Sequence, residues 1–218
     1  MKRTPLKQIC NAAQLAALLI LFAGANLACN QAERPAHVIV LGVDGLSPAG
    51  IQQARTPHFN RLIAEGAFTF QARAVLGTSS SQNWASMIMG AGPEQHGITS
   101  NGWERDNHTI TPTTTGAEDI FPTIFSVLRD QRPEAGIATF YDWSGFGRLF
   151  EKSVVNQYVD ADGPEETLRE SIAYFARERP AFTFIHLDHV DHALHTEGYL
   201  RPKPVSYTHL TLPTILLV

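Results

Sequence analysis

Residues 38–45 read VIVLGVDG. From His37 to Gly42 the chain is aliphatic and largely β-branched, which is the composition of a buried strand. Gly42 and Gly45 loosen the backbone around Asp44, and Asp44 closes the strand. A second run, FTFIHLD at 182–188, repeats the pattern and closes on Asp188. Ile137–Tyr141 reads as a third strand and Phe68–Ala74 as a short one.

Helical patterns lie between these strands. Thr56-Pro57 offers a hydroxyl cap followed by a first-turn proline, with Phe59, Leu62 and Ile63 as the apolar side and Gly66 as the stop. Asn83–Met89 predicts a helix that turns Trp84, Met87 and Ile88 to the core. Asp119–Arg129 predicts another, with Ile120, Ile124, Val127 and Leu128 on one face. Gly163–Glu178 carries Leu168, Ile172 and Phe175 at helical spacing. Strands alternating with helices predict an α/β layered sandwich with a central, largely parallel sheet flanked by helices. Such folds gather functional groups at the carboxyl ends of their strands. Asp44 and Asp188 both stand there.

The 218 residues suffice for one domain, or one and a fraction. A formal net charge of −4, with no basic stripe, argues against a nucleic-acid-binding surface. Residues 1–30 read as a signal peptide or lipoprotein signal: Lys2, Arg3 and Lys7 precede an apolar stretch from Ala12 to Ala25. Ala23-Gly24-Ala25 fits a cleavage site, and Asn26-Leu27-Ala28-Cys29 resembles a lipoprotein box. Export to the periplasm or cell envelope, or secretion, is expected, with either a lipid anchor at Cys29 or simple cleavage. The alternative is an uncleaved anchor. Cys10 and Cys29 are the only cysteines, so residues 31–204 offer no disulfide. Residues 205–214, VSYTHLTLPT, resemble the translated end of a sequencing-library adapter. On that reading 205–218 is a non-native tail, and 31–204 is the N-terminal part of a truncated catalytic domain.

Thr78, Ser79, Ser80 and Ser81 form a hydroxyl cluster just before the helix that carries Asn83. A serine hydroxyl is a weak nucleophile until a base or a metal activates it. No lysine or histidine nearby in sequence looks like a dedicated base, so a metal is the better activator. Asp44 offers a carboxylate. Asp188 and His192 offer a carboxylate and an imidazole four residues apart, and one helical turn or a tight loop would let both face one ion. Free N–H groups at the helix start favour an anion beside the nucleophile. The same residues also suit plainer roles: Ser79–Ser81 as helix caps, Asn83 as a surface amide.

Four segments together carry a family resemblance: VIVLGVDG (38–45), TPHFNRLIAEG (56–66), TSSSQNWASMIMGAGPEQHGI (78–98) and FIHLDHVDH (184–192). The chain resembles the alkaline phosphatase superfamily, in its type I phosphodiesterase/nucleotide pyrophosphatase branch. The resemblance implies an alkaline phosphatase-like fold and a metal-dependent hydrolase of phosphoric esters. It implies two Zn²⁺ ions in the full-length parent and a small-molecule phosphoric ester as substrate. By position, Asp44 matches a ligand of one zinc, and Asp188 and His192 match ligands of the other. Ser80 matches the nucleophile, which also touches metal. Asn83 matches the asparagine that holds a phosphoryl oxygen.

The sequence departs from that pattern in three places. Serine stands where the branch usually has threonine. Trp84 stands where a histidine is common. The later region that supplies an Asp-His pair and another histidine is not visible. A sulfatase or phosphomonoesterase of the same superfamily is the near alternative, although Ser79–Asn83 reads SSSQN and lacks the sulfatase pattern of Cys or Ser followed by x-Pro-x-Arg. An inactive envelope binding or structural fragment is the other. His96 is expected to fix the loop after the nucleophile helix, and Asn101 to line the pocket or make a turn. Asp191 and His195 are expected beside the metal pair, and Asp142, Trp143 and Phe146 at a pocket border or packing a loop.

Overall fold

The computed structural model describes residues 36–198. The signal segment 1–30 and the tail 205–218 lie outside the described residues. Four parallel strands form one sheet: β1 (Val38–Val43), β2 (Ile137–Tyr141), β3 (Gln157–Asp160) and β4 (Phe182–Leu187), in the order β1-β4-β2-β3. The central pair, IATFY and FTFIHL, is buried at every position. β1, at one edge, is mostly half-buried despite its equally apolar sequence. The α/β layered architecture with a parallel sheet is therefore the one expected.

Among the described residues, seven α-helices connect and cover the sheet: α1 (Pro48–Gln53), α2 (Pro57–Glu65), α3 (Ser80–Met89), α4 (Pro93–His96), α5 (Ile124–Gln131), α6 (Pro164–Glu178) and α7 (His189–Glu197). The core gathers Trp84, Ile88, Phe125, Phe146, Phe150 and Phe184, with Phe146 stacked on Phe184 at 5.2 Å between ring centroids. None of the helices among the described residues is long and apolar enough to cross a membrane.

Several local expectations needed correction. Residues 68–74 form no strand, and Phe68 is 58% exposed, because no neighbouring strand pairs with them. Thr56 sits at the N-cap of α2 but does not cap it. Its hydroxyl donates instead to the Ile51 carbonyl at 3.2 Å. Met87 is 60% exposed, leaving Trp84, Ala85 and Ile88 as the inward face of α3. The helix expected from Asp119 begins only at Ile124, since Thr123 supplies the cap by accepting from the Phe125 N–H. That start puts Phe125 inside and Ile124 and Val127 at the surface. In α6, Pro164, Thr167, Ser171 and Phe175 are the buried positions, while Leu168 and Ile172 flank the last three.

Candidate functional site

β1, β4 and β2 are each followed by an aspartate: Asp44, Asp188 and Asp142. Parallel pairing brings all three to the same end of the sheet. Backbone bonds hold them in place. The Asp44 N–H donates to the Leu187 carbonyl at 2.8 Å, and the Asp188 N–H donates to Asp142 Oδ1 at 2.7 Å. Side chains alternate along a strand, so His186 shares a face with the position of Asp188. His186 is 0% exposed, walled by Trp84 at 4.6 Å and stacked on Phe146 at 5.0 Å between ring centroids. Neither of its nitrogens has a hydrogen-bond partner among the described residues, and neither has Asp142 Oδ2. The nearest carboxylate oxygens are Asp44 Oδ2, 4.0 Å from Nε2, and Asp142 Oδ1, 3.8 Å from Nδ1. Buried polar groups are nearly always satisfied, so an orphaned ring at this place calls for a ligand.

Asp44, His186 and Asp188 each turn one ligand atom to a common point, with those atoms within 4.8 Å of one another. Two carboxylates and an imidazole form a donor set that suits Zn²⁺. The orphaned imidazole nitrogens fit such an ion. Among the described residues this is one group for one ion. Burial is the main force that pushes the Asp188 carboxyl up to about 6, and the nearby charges of Asp44, Asp142 and Asp191 push the same way, against the pull of His186. Asp191 is raised as well, by burial first and then by Asp44. A site that resists holding its own negative charges favours a divalent cation.

The hydroxyl cluster faces this sheet end. α3 begins at Ser80, with Ser79 in extended backbone at its N-cap. A cleft of about 790 Å³ is lined by Asp44, Thr78, Ser79, Ser80, Asn83 and Asn101, and on its far side by Asp191 and His195 of α7. Ser80 is half-buried on the wall, whereas the Ser79 and Ser81 hydroxyl oxygens are buried without partners. Asn83 is tied to the backbone: its Nδ2 donates to the Ser79 carbonyl at 3.0 Å, and its Oδ1 accepts from the Val75 N–H at 2.9 Å. One Nδ2 hydrogen remains for a bound anion. The Ser81 N–H at the helix start is taken by Asn101 Oδ1 at 2.8 Å, which gives Asn101 a defined place. His96 fixes the following loop. Its Nδ1 accepts from the Ile98 N–H, which leaves Nε2 to face Ser86 Oγ, both at 3.0 Å, and burial lowers its pKa to about 4.

Of the expected site residues, the fold gathers Asp44, Ser80 and Asn83 in one cleft and joins Asp188 to Asp44 through His186. His192 is exposed, with its ring 6.1 Å from that of His189, and it stands outside both the three-residue group and the cleft wall. One turn further along, His195 Nε2 lies 3.3 Å from Asp191 Oδ2. That Asp-x-x-x-His pair is the one in the cleft. Gly45 makes the approach possible: its φ is +71°, and a Cβ there would lie 2.7 Å from the Asp191 Cα. Phe146 belongs to the core rather than a pocket border. His186 was not anticipated, because it sits inside a run that reads as pure core. Counting back two residues from Asp188 would have found it.

The parallel sheet, its strand-end carboxylates and the hydroxyl-bearing helix start make an α/β sandwich of the alkaline phosphatase-like kind. A model of the type I phosphodiesterase/nucleotide pyrophosphatase family matches residues 38–209, and the chain belongs to that family. No curated protein matches it. Similar solved structures include murine ectonucleotide pyrophosphatase/phosphodiesterase 5, at 20% identity and a TM-score of 0.63 over 79% of this chain and 48% of that one. The human counterpart gives 19%, 0.61, 79% and 51%. Phosphonoacetate hydrolase from Sinorhizobium meliloti 1021 gives 17%, 0.56, 80% and 51%. At these identities the likeness is one of fold. The chain spans about half the length of the structures it matches.

Proposed function

We propose that the full-length protein hydrolyses phosphoric esters, with Ser80 as nucleophile. The observation that carries this reading is the meeting of Ser80 and the Asp44 carboxylate in one cleft, beside a donor set of two half-buried carboxylates and one buried imidazole that suits a cation. Ser80 Oγ attacks phosphorus, and its proton passes through solvent to the departing ester oxygen, which leaves as an alcohol. Water then cleaves the phosphoserine bond and restores the serine, releasing phosphate from a monoester or the remaining phosphate monoester from a diester. Asn83 holds a non-bridging oxygen with its remaining amide hydrogen. Asp44, His186 and Asp188 would hold the ion, with Asp191 and His195 at the cleft wall beside it. A bound Zn²⁺ would supply Lewis acidity and charge neutralisation there. A second ion in the full-length parent, with His192 as a ligand, stays part of the proposal.

One murine structure of similar fold is an inactive threonine-to-alanine form in complex with AMP. It supports a nucleotide ester as the first substrate to try. In the longer parent, Ser80→Ala should lower hydrolysis of bis-p-nitrophenyl phosphate by orders of magnitude while the fold survives. Full activity in that variant sinks the assignment. Parallel assays on p-nitrophenyl phosphate and p-nitrophenyl sulfate separate diesterase from monoesterase and sulfatase. His192→Ala beside His195→Ala, each scored for Zn²⁺ retention, decides which histidine is a ligand. Export is proposed from the charge-then-apolar order of residues 1–30, and the mass of the mature protein's N-terminus tests it along with lipid at Cys29.

A further inference from the structure

Each oxygen of the Asp44 carboxylate accepts a hydrogen bond from a neighbour among the described residues. Oδ1 accepts from the Gly45 N–H and Oδ2 accepts from the indole Nε1–H of Trp84, both at 2.9 Å. A carboxylate has about four acceptor positions. With one taken on each oxygen, the group can no longer rotate, and the remaining lone pairs have fixed directions.

The indole is itself held in place. Trp84 is 7% exposed, with edge contacts to His186, Phe146 and Phe184. On the strand side, a Cβ at Gly42 would lie 2.4 Å from the Trp84 ring, so a ring in this position requires glycine at 42. Burial alone would demand only that the indole N–H find some acceptor. Here the acceptor is a carboxylate of the three-residue donor group. Trp84 also lies one helical turn after Ser80, on the cleft side of α3.

We propose that Trp84 is a positioning residue for the cation site: its indole N–H locks the Asp44 carboxylate toward the ion and ties the nucleophile helix to the strand that bears it. The proposal rests on the reading of Asp44 as a cation ligand. Partners that orient ligating groups typically change metal affinity 10–100-fold when removed. Trp84→Phe keeps an aromatic ring in the core and deletes the donor.

The test measures Zn²⁺ dissociation constants of the 218-residue chain by chelator competition, alongside melting curves in EDTA. The expected result is Zn²⁺ affinity at least about tenfold weaker in Trp84→Phe, with the EDTA melting temperature lowered only as a smaller ring requires. Wild-type affinity in the variant overturns the proposal. Should Trp84→Phe not fold, site-specific replacement of Trp84 by 3-benzothienylalanine keeps the bicyclic shape and removes only the N–H. The same loss of affinity is expected, and an unchanged affinity again overturns the proposal. A wild-type chain that takes up no Zn²⁺ overturns the ligand reading of Asp44 and the positioning role together. Uptake by wild type with no change in either variant overturns the positioning role alone.

Discussion

Replacing Asp188 with asparagine should flatten the pH dependence of stability in the metal-free protein. Burial, reinforced by Asp44, Asp142 and Asp191, raises this carboxyl from 3.8 to about 6. The native state therefore holds the proton more tightly than the unfolded chain does. The stabilisation is complete below about pH 4 and is lost as pH rises through 6. A gap of about two pH units corresponds to about 3 kcal/mol. Partial solvent exposure screens this to about 1–2 kcal/mol. For a chain of this size that is a melting shift of about 2–8 °C. In EDTA above pH 6, Asp188→Asn should melt higher than wild type by that margin, and below pH 4 the two should coincide. Zn²⁺ should reverse the order at pH 7.5, since only the carboxylate binds it well. Differential scanning fluorimetry from pH 3 to 8, with EDTA or Zn²⁺, reads all of this. Parallel curves for the two proteins in EDTA, or a variant that melts lower at pH 7.5 without metal, would refute the reasoning.

Gly45→Ala should destabilise the fold by at least about 1–2 kcal/mol for the left-handed backbone alone. The new methyl also meets the Asp191 backbone, so Zn²⁺ affinity should fall in the same variant, checked by urea melts and chelator competition. Glu151→Ala should cost about 2–4 kcal/mol, because the Thr123 N–H and hydroxyl both donate to this buried carboxylate and would be left unpaired. Zn²⁺ binding by the folded fraction should not change. His96→Gln should reduce the acid sensitivity of folding. The folded pKa of about 4 lies below the usual 6.5, so His96 contributes stability that is complete above pH 6.5 and lost as pH falls through 4. Denaturant titrations at pH 7 and pH 4.5 measure the difference.

β1, β2 and β4 were legible because runs such as VIVLG and FTFIHL admit little else, and the aspartate endings of β1 and β4 followed from the chain order of the pattern, whereas β3 was not anticipated, since its four residues QYVD carry too short an apolar pattern. The hydroxyl cluster and its helix were legible for the same reason. What the sequence could not reveal was which way a helix after a strand would turn. Asp188-His192 and Asp191-His195 have identical spacing, and only the rotation of α7 sets the second pair into the cleft. His186 was concealed by its neighbours, since a histidine inside an apolar run looks like filler until its unpartnered nitrogens are seen. Helix starts shifted where a proline and a threonine competed for the cap, as at Pro122-Thr123. Residues 68–74 looked like a strand on composition alone, but a strand also needs a neighbour to pair with.

The position of β1 has a practical consequence. Its outward amides and carbonyls lie along a stretch with no charge, no proline and no bulge to discourage a stranger. Produced as residues 36–198 alone, the domain would offer that rim as a template to any extended peptide, its own copies included. A lysine placed at Ile39 or Leu41 is a cheap guard for anyone who wants this piece in solution at high concentration.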